Sequence, residues 1–216
     1  ARARVLQETT YDGWLKVSKS FENELKRHPA GYSLVATQYG LSVAYAKMNQ
    51  KDKALTAIRA AKAASKENSV ILDKHLAELT YQVAKTQAQK DQALALAKST
   101  CNQYPYSGLA ASNYVELLFQ SGKHQELVDY LRNQSALSRS NPDYHMYLAR
   151  SYEALGKKSM AFAATGDMYA LLDNPRAAVY QFELAQKAND GDFYIMSEID
   201  AKLREQRQKV LDQKKD

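Results

Sequence analysis

The chain has 216 residues, 45% of them hydrophobic and 25% charged, which is enough to bury one sizeable core or a continuous stack of smaller ones. Only 8 glycines and 4 prolines stand beside abundant Ala, Leu, Lys, Gln and Glu, so the composition favours helices over a sheet built on hairpin turns. The net charge of +6 comes from 30 basic residues interleaved with 24 acidic ones, which indicates a mixed-charge surface rather than a basic nucleic-acid footprint.

Further classes are excluded by what is scarce in the chain. The single cysteine, Cys101, allows no intrachain disulfide and no cysteine-based zinc site, and we expect it to pack between helices. No run of about 18 apolar residues occurs, so no transmembrane segment is predicted. The opening residues, ARARVLQETT, contain neither an initiator Met nor the apolar core of a signal peptide, so we expect the chain to be part of a longer protein.

The first predicted element is a helix within residues 1–30. The segment WLKVSKSFENELKRHP, from Trp14 to Pro29, places Trp14, Val17, Phe21 and Leu25 at helical spacing, and Pro29 stops the pattern. We expect this helix to cap the N-terminal end of an array, with Trp14 in the core rather than stacked on a ligand.

A repeat of helix pairs is predicted for residues 31–190. The stretches QKDKAL (Gln50 to Leu55) and QKDQAL (Gln89 to Leu94) are followed by GKHQEL, ending at Leu127, and GKKSMA, ending at Ala161. Their intervals of 39, 34 and 34 residues match the 34-residue period of the tetratricopeptide repeat (TPR), in which each unit is an antiparallel helix pair. About four to five pairs are predicted.

The large and small positions of the TPR unit recur at the expected offsets. Small residues let the two helices of a pair approach, and large ones fill the gaps between neighbouring pairs. Asp52 and Asp91 are predicted to cap the second helices of their pairs. The clearest matches are Leu41, Ser42, Tyr45, Ala54, Ile58 and Ala61 in one unit, and Leu148, Ala149, Tyr152, Gly156 and Ala161 in another.

The C-terminal end continues the pattern at half the usual interval. The stretch DNPRAA, ending at Ala178, follows Ala161 by 17 residues, so the helix from Ser159 to Leu172 is predicted to serve two successive pairs. Gly191 and Asp192 are predicted to end one helix and to begin the next. Residues 191–216 then form a C-terminal capping helix with one apolar stripe at Ile195, Ile199, Leu203 and Val210. The fold class predicted from the whole chain is an all-α, TPR-like, right-handed α-solenoid, in a single domain over residues 1–216.

The C-terminal sequence also resembles a protein family. The segments YLARSYEALGKKSMAFAATGDMYALLDNP and RAAVYQFELAQKANDGDFYIMSEIDAKLREQRQ look like the C-terminal TPR region of BepA-like bacterial periplasmic zinc metalloproteases. The resemblance is strongest over residues 140–207. The matching residues in the last turn and helix are Gly191, Asp192, Phe193, Tyr194, Leu203, Arg204 and Glu205.

The catalytic signature of that family is absent from this chain. Its zinc site is a His-Glu-x-x-His helix, whereas His28, His75, His124 and His145 include no pair four residues apart and no His-Glu dipeptide. No glycine-rich phosphate loop and no G-x-S-x-G elbow is present. We therefore expect no catalytic, metal or cofactor-binding residues and no enzymatic activity in this chain, while the parent protein of such a region would be a zinc metallopeptidase.

The first helices of the predicted pairs carry the candidate binding residues. In the TPR class these helices line the concave face, and a face that mixes aromatic, amide and charged side chains suits an extended peptide or protein segment. The candidate protein-binding residues are Tyr39, Val43, Lys47, His75, Glu78, Gln82, Lys85, Ser112, Glu116, Phe119, Met146, Arg150 and Glu153.

The sequence therefore predicts a non-catalytic protein-binding scaffold. The resemblance implies a periplasmic location, a role in outer-membrane protein assembly and quality control, and two partners: the parent's own protease domain and outer-membrane assembly components. One alternative is a free-standing TPR adaptor or co-chaperone-like protein with no protease. Another is a nucleic-acid binder, which would require the positive charge on one face with aromatic residues between; no nucleic-acid partner is expected.

Overall fold

The computed structural model describes residues 8–134 and 140–213, and in these ranges the chain forms eleven α-helices and no strand. The first six helices are α1 (Tyr11–Leu25), α2 (Gly31–Lys47), α3 (Lys51–Ala64), α4 (Val70–Val83), α5 (Gln87–Gln103) and α6 (Gly108–Gln120). The remaining five are α7 (His124–Asn133), α8 (Pro142–Ala154), α9 (Lys158–Leu171), α10 (Pro175–Ala188) and α11 (Phe193–Asp212).

The helices belong to two compact units, and the boundary falls inside α6. The first unit ends at Leu117 and the second begins at Leu118. The sequence-based expectation of a single domain over residues 1–216 stays a prediction, and the two units are described separately.

In the first unit, each helix from α1 to α4 packs against the helix that follows it. One core cluster joins α1 to α2 and α3 through Trp14, Phe21 and Leu41, and Trp14 is only 5% exposed, as predicted for a core residue. A second cluster joins α3 to α4 through Ile58 and Leu79. The N-terminal helix therefore covers an apolar face of α2 that water would otherwise contact.

In the second unit, α8, α9, α10 and α11 also pack in sequence, and α7 packs against α8. Phe182 of α10 is 1% exposed and lies against Gly166 of α9, where an added Cβ would come within 2.8 Å of the ring. Helix α9 contacts both α8 and α10, as a helix shared by two successive pairs requires, although α2, α3 and α4 also contact both of their neighbours. The glycine permits the close approach of α9 to α10.

The expected capping role of Asp52 and Asp91 is wrong. Helix α3 begins at Lys51 after Gln50, so Asp52 lies within its first turn. Helix α5 begins earlier than expected, at Gln87, because Thr86 and Gln89 form a reciprocal capping box in which Gln89 N donates to Thr86 Oγ1 (3.3 Å) and Thr86 N donates to Gln89 Oε1 (3.2 Å). Asp91 therefore lies inside α5, past its first turn.

The turn between α10 and α11 differs in one detail from expectation. Asp192 does cap α11, since its side chain accepts a hydrogen bond from Ile195 N at 2.9 Å. Helix α10, however, is closed by Asn189 in the left-handed conformation (φ 49°), two residues before Gly191. Asn tolerates this conformation better than most side chains because it is short and polar.

The residue between these caps ties the turn to another helix. Asp190 accepts hydrogen bonds from the backbone N–H groups of Lys158 (2.7 Å) and Ser159 (2.7 Å), the first two residues of α9. Lys157, the residue at the N-cap position of α9, provides no side-chain cap. The start of α9 is therefore satisfied by a carboxylate more than thirty residues further along the chain.

These features confirm the predicted all-α, TPR-like class. Helices of 10 to 20 residues follow one another through short turns, and consecutive helices pack antiparallel through small residues such as Ala54 and Ala185, both fully buried. We call α2, α4, α6 and α8 the first helices and α3, α5, α7 and α9 the second helices of the successive pairs.

Candidate protein-binding surfaces

The thirteen candidate binding residues lie on the first helices, except Lys85, which is the second residue after the end of α4. None of them is buried: Lys47, Gln82, Lys85, Arg150 and Glu153 are exposed, and the others are partly exposed. Val43 also packs against the Trp14 core, so its side chain is shared between core and surface.

Three of these residues come together in the first unit. The rings of Tyr39 on α2 and His75 on α4 meet edge to face, with their centroids 5.6 Å apart. His75 Nδ1 lies 3.7 Å from Glu78 Oε2, one turn further along α4. Lys74, which the sequence prediction did not include, donates a hydrogen bond to the other oxygen of Glu78. We call these four residues the Tyr39 cluster.

The charges of the Tyr39 cluster are largely compensated within it. Burial opposes ionisation of Glu78, but hydrogen bonds and charge from His75 and Lys74 outweigh this and lower the pKa of its carboxyl below the usual value. Burial raises the pKa of Tyr39. The cluster therefore presents a neutral phenol and an internally paired carboxylate.

The hydrogen bonding of Ser42 determines which nitrogen of His75 carries a proton. Ser42 Oγ donates its hydrogen to Ala54 O at 2.7 Å, so it must accept from His75 Nε2, which lies 3.1 Å away. Nε2 of His75 therefore carries a proton, and Nδ1, which lies 3.7 Å from Glu78 Oε2, attracts that carboxylate only when it is protonated as well.

Ser42, His75 and Glu78 have the side-chain order of a hydrolase triad, but they cannot act as one. A serine nucleophile must reach a substrate carbonyl while its proton passes to the histidine. Ser42 is 0% exposed, and its hydrogen is committed to a backbone carbonyl. The arrangement is a buried structural contact with a histidine at its outer edge.

A second group of aromatic residues forms in the second unit around Phe119, near the end of α6. The guanidinium carbon of Arg150 lies 4.9 Å from the centre of the Phe119 ring. The rings of Tyr147 on α8 and His124 on α7 meet Phe119 edge on, at 5.3 Å and 5.6 Å. We call these four residues the Phe119 cluster.

The Phe119 cluster unites two predicted residues, Phe119 and Arg150, with two that the prediction lacked. His124 was considered only as a possible metal ligand, and it packs here on the aromatic ring while its Nδ1 lies 3.2 Å from Ser151 Oγ. Tyr147 lies three residues before Arg150, so the i, i+3 spacing on α8 was the signal that could have placed both on one side. The predicted residues Lys47, Gln82, Lys85, Met146 and Glu153 lie outside both clusters.

The second unit also contains a small cleft of about 140 Å³, which the sequence analysis did not predict. Lys202 of α11 donates to Asp167 of α9 (2.8 Å) and pairs with Glu198 (2.8 Å), while His145 Nδ1 lies 3.8 Å from Asp167. Burial opposes protonation of Lys202, yet the charges and hydrogen bonds of Asp167 and Glu198 raise its pKa. Its cation is therefore paired inside the cleft.

The two clusters have the chemistry to recognise a partner through side-chain contacts. Over residues 8–134 and 140–213, no group of three or more His, Cys, Asp or Glu side chains could hold a metal ion. None of the helices described is long and apolar enough to cross a membrane. Partly exposed aromatic rings beside fixed polar groups are the residue types that dominate protein interfaces.

Two solved structures are weakly similar to this chain in fold. No protein family and no curated protein matches the sequence. The solved structure of MamA MSR-1 C2 is similar over 84% of this chain and 98% of that one, with 17% identity and a TM-score of 0.49. A tetratricopeptide repeat protein from Parabacteroides merdae ATCC 43184 is similar over 91% and 93% of the two chains, with 12% identity and a TM-score of 0.40. The fold class rests on the helix pairs themselves.

Proposed function

We propose that the chain is a non-catalytic protein-binding scaffold that uses the exposed surfaces of its first helices. The observation that carries this proposal is the placement of the Tyr39 and Phe119 clusters, since each brings aromatic and polar side chains from separate helices to an accessible position. A residue that served only the core would be buried, whereas Arg150 is exposed and Phe119 remains partly exposed. An extended protein segment is the partner that such side-chain surfaces accept.

We further propose that the scaffold belongs to a BepA-like periplasmic zinc metalloprotease and serves outer-membrane protein assembly and quality control. The support is the resemblance of residues 140–207, including Gly191 to Tyr194. In the structure, Phe193 and Tyr194 of this segment are 79% and 82% exposed, so both rings are accessible to a partner and neither contributes to the core. Outer-membrane assembly components and the parent's own protease domain are the proposed partners.

Site-specific photocrosslinking in cells that make the protein as its gene encodes it tests the scaffold. The crosslinking amino acid replaces Gln82 in the first unit and Glu153 in the second, both exposed on first helices. The matched controls are Arg59 on α3 and Gln125 on α7, which are exposed on second helices. We expect defined protein adducts at the first pair only, and equal adducts at the control positions would refute the assignment of the binding surface.

The gene itself tests the metalloprotease proposal. An upstream His-Glu-x-x-His segment in the same reading frame supports it, and its absence leaves the free-standing adaptor as the better reading. The 216-residue chain is expected to bind no stoichiometric zinc. Zinc found in the purified chain by atomic absorption would contradict the non-catalytic assignment.

A further inference from the structure

Arg150 presents an exposed positive charge that forms no ion pair with a carboxylate of the described residues. Its guanidinium lies over the Phe119 ring at 4.9 Å, and it takes part in no ion pair within residues 8–134 and 140–213. Two other cations of the second unit are paired with carboxylates: Arg207 with Glu183 (2.8 Å) and Lys202 with Asp167 (2.8 Å). A guanidinium that stacks by its face keeps its in-plane N–H groups available for hydrogen bonds.

The platform beneath Arg150 is fixed before any partner arrives. The Phe119 ring is held by the edges of Tyr147 and His124, and His124 is in turn held against Ser151, which is fully buried. A stacked guanidinium on a fixed ring has fewer orientations to lose on binding than a free arginine has. The arrangement is typical of an arginine prepared for a planar, two-oxygen acceptor.

We propose that the Phe119 cluster binds an acidic segment of a partner protein, with Arg150 taking a side-chain carboxylate and the Phe119 and Tyr147 rings taking an adjacent apolar side chain. This inference rests on the proposed scaffold function and names the chemistry of its partner. Charge complementarity supports a carboxylate, because Arg150 lacks an internal counter-ion, whereas the carboxylate of the Tyr39 cluster already has Lys74 and His75. The Phe119 cluster thus offers a cation without an ion pair, whereas the charges of the Tyr39 cluster are already paired.

The carboxylate of Glu153 should weaken the attraction between Arg150 and an acidic ligand. Glu153 is exposed and lies three residues after Arg150 on α8, so its charge repels an acidic ligand at the Phe119 cluster. The same charge disfavours the phosphate backbone of a nucleic acid, which needs several cations in a row. The cluster offers one cation beside two aromatic rings, so a single carboxylate next to an apolar residue matches it better than a polyanion does.

Fluorescence anisotropy with the 216-residue chain tests the proposal. One probe is a short fluorescein-labelled peptide rich in glutamate and phenylalanine, and the other is its twin with every glutamate replaced by glutamine. The chain should bind the acidic peptide on the order of tenfold more tightly than the twin, since a charge-assisted pair is about twice as strong as a neutral hydrogen bond. Arg150→Gln should remove that difference, and Arg150→Lys should restore only part of it.

Two further variants sharpen the test. Glu153→Gln should tighten binding of the acidic peptide about twofold to fivefold, because a repelling charge is lost. Arg59→Gln, which removes an exposed cation from the second helix α3, is the matched control and should leave both affinities unchanged. Circular dichroism on every variant confirms that the helices are retained.

Three outcomes would overturn the inference. The first is equal binding of the two peptides by the unaltered chain, and the second is an Arg150→Gln variant that keeps its preference for the acidic peptide. The third is a single-stranded oligonucleotide that binds more tightly than the acidic peptide and is released by Arg150→Gln, which would assign the surface to phosphate. If proteins crosslink at position 153 but the chain binds the acidic peptide no better than its twin, the scaffold function stands and only the acidic-segment proposal is refuted.

Discussion

Asp190→Ala should destabilise the second unit by removing the cap of a distant helix. The carboxylate accepts two backbone hydrogen bonds of 2.7 Å at the start of α9, from Lys158 and Ser159. Because Asp190 is exposed, water replaces part of what is lost, so the measured cost of N-cap removal, about 0.5–2 kcal/mol, is the better guide than the sum of two charge-assisted bonds. We expect a loss of about 1.5 kcal/mol, and a fall in Tm of about 3–6 °C.

The pH dependence of this loss identifies the carboxylate as its cause. Hydrogen bonding from Ser159, together with the N–H of Lys158, lowers the pKa of Asp190 in the folded chain. A depressed folded pKa means that the stabilisation is present above the unfolded value of about 4 and is lost as the pH falls through the folded value. The difference in Tm between wild type and Asp190→Ala should therefore be largest near neutral pH and shrink in acid.

Thermal unfolding by circular dichroism and hydrogen exchange of the 157–171 segment are the assays. Exchange of the Lys158 and Ser159 amides should accelerate in Asp190→Ala, since both lose their acceptor. The control is Asp52→Ala, which removes an exposed carboxylate from the first turn of α3 and should cost no more than about 0.5 kcal/mol. An unchanged Tm for Asp190→Ala, or a deficit that persists undiminished in acid, would refute the capping argument.

Three further outcomes follow from the packing. Gly166→Ala should lower the unfolding free energy by about 1–3 kcal/mol despite its higher helix propensity, because the added methyl meets the Phe182 ring at 2.8 Å; a gain in Tm would contradict this. Burial and the hydrogen bond to Glu22 raise the pKa of Tyr45 to about 12, so the alkaline titration followed by difference spectroscopy should lose one tyrosine near pH 12 in Tyr45→Phe. The stabilisation from that bond is complete below about pH 10 and is lost as the pH rises through 12. A fluorophosphonate probe should leave the buried Ser42 unlabelled, and labelling would reopen the question of hydrolase activity.

The parts of the fold that the sequence predicts well are those set by local periodicity. Leu41, Ala54 and Ile58 recur at helical spacing within one repeat unit, so their burial at 5%, 0% and 0% follows from the pattern alone. The predicted cap of α5 at Asp91 is wrong because Thr86 and Gln89, three residues apart, form a capping box that begins the helix earlier.

The candidate sites were predicted less completely because they depend on contacts between distant residues. Tyr39 and His75, on separate helices, could be assigned to one face from the repeat, but their edge-to-face contact could not. Lys202 reaches Asp167 across 35 residues of sequence, and Arg150 of α8 stacks on Phe119 of α6. Side-chain direction and rotamer decide such contacts, and periodicity determines neither.

The buried serine hydroxyls have a consequence for the accuracy of folding. Ser42 donates to Ala54 O between α2 and α3, and Ser159 donates to Ala185 O between α9 and α10, at 2.7 Å and 2.9 Å. An array of similar helix pairs can mispair, because an Ala-rich helix that slips by one turn still covers apolar surface. After such a slip, the serine hydroxyl would be buried without its acceptor, which costs about 1–3 kcal/mol. The two hydroxyls thus favour the correct neighbouring helix over a similar one, and they fix the register of α2 against α3 and of α9 against α10.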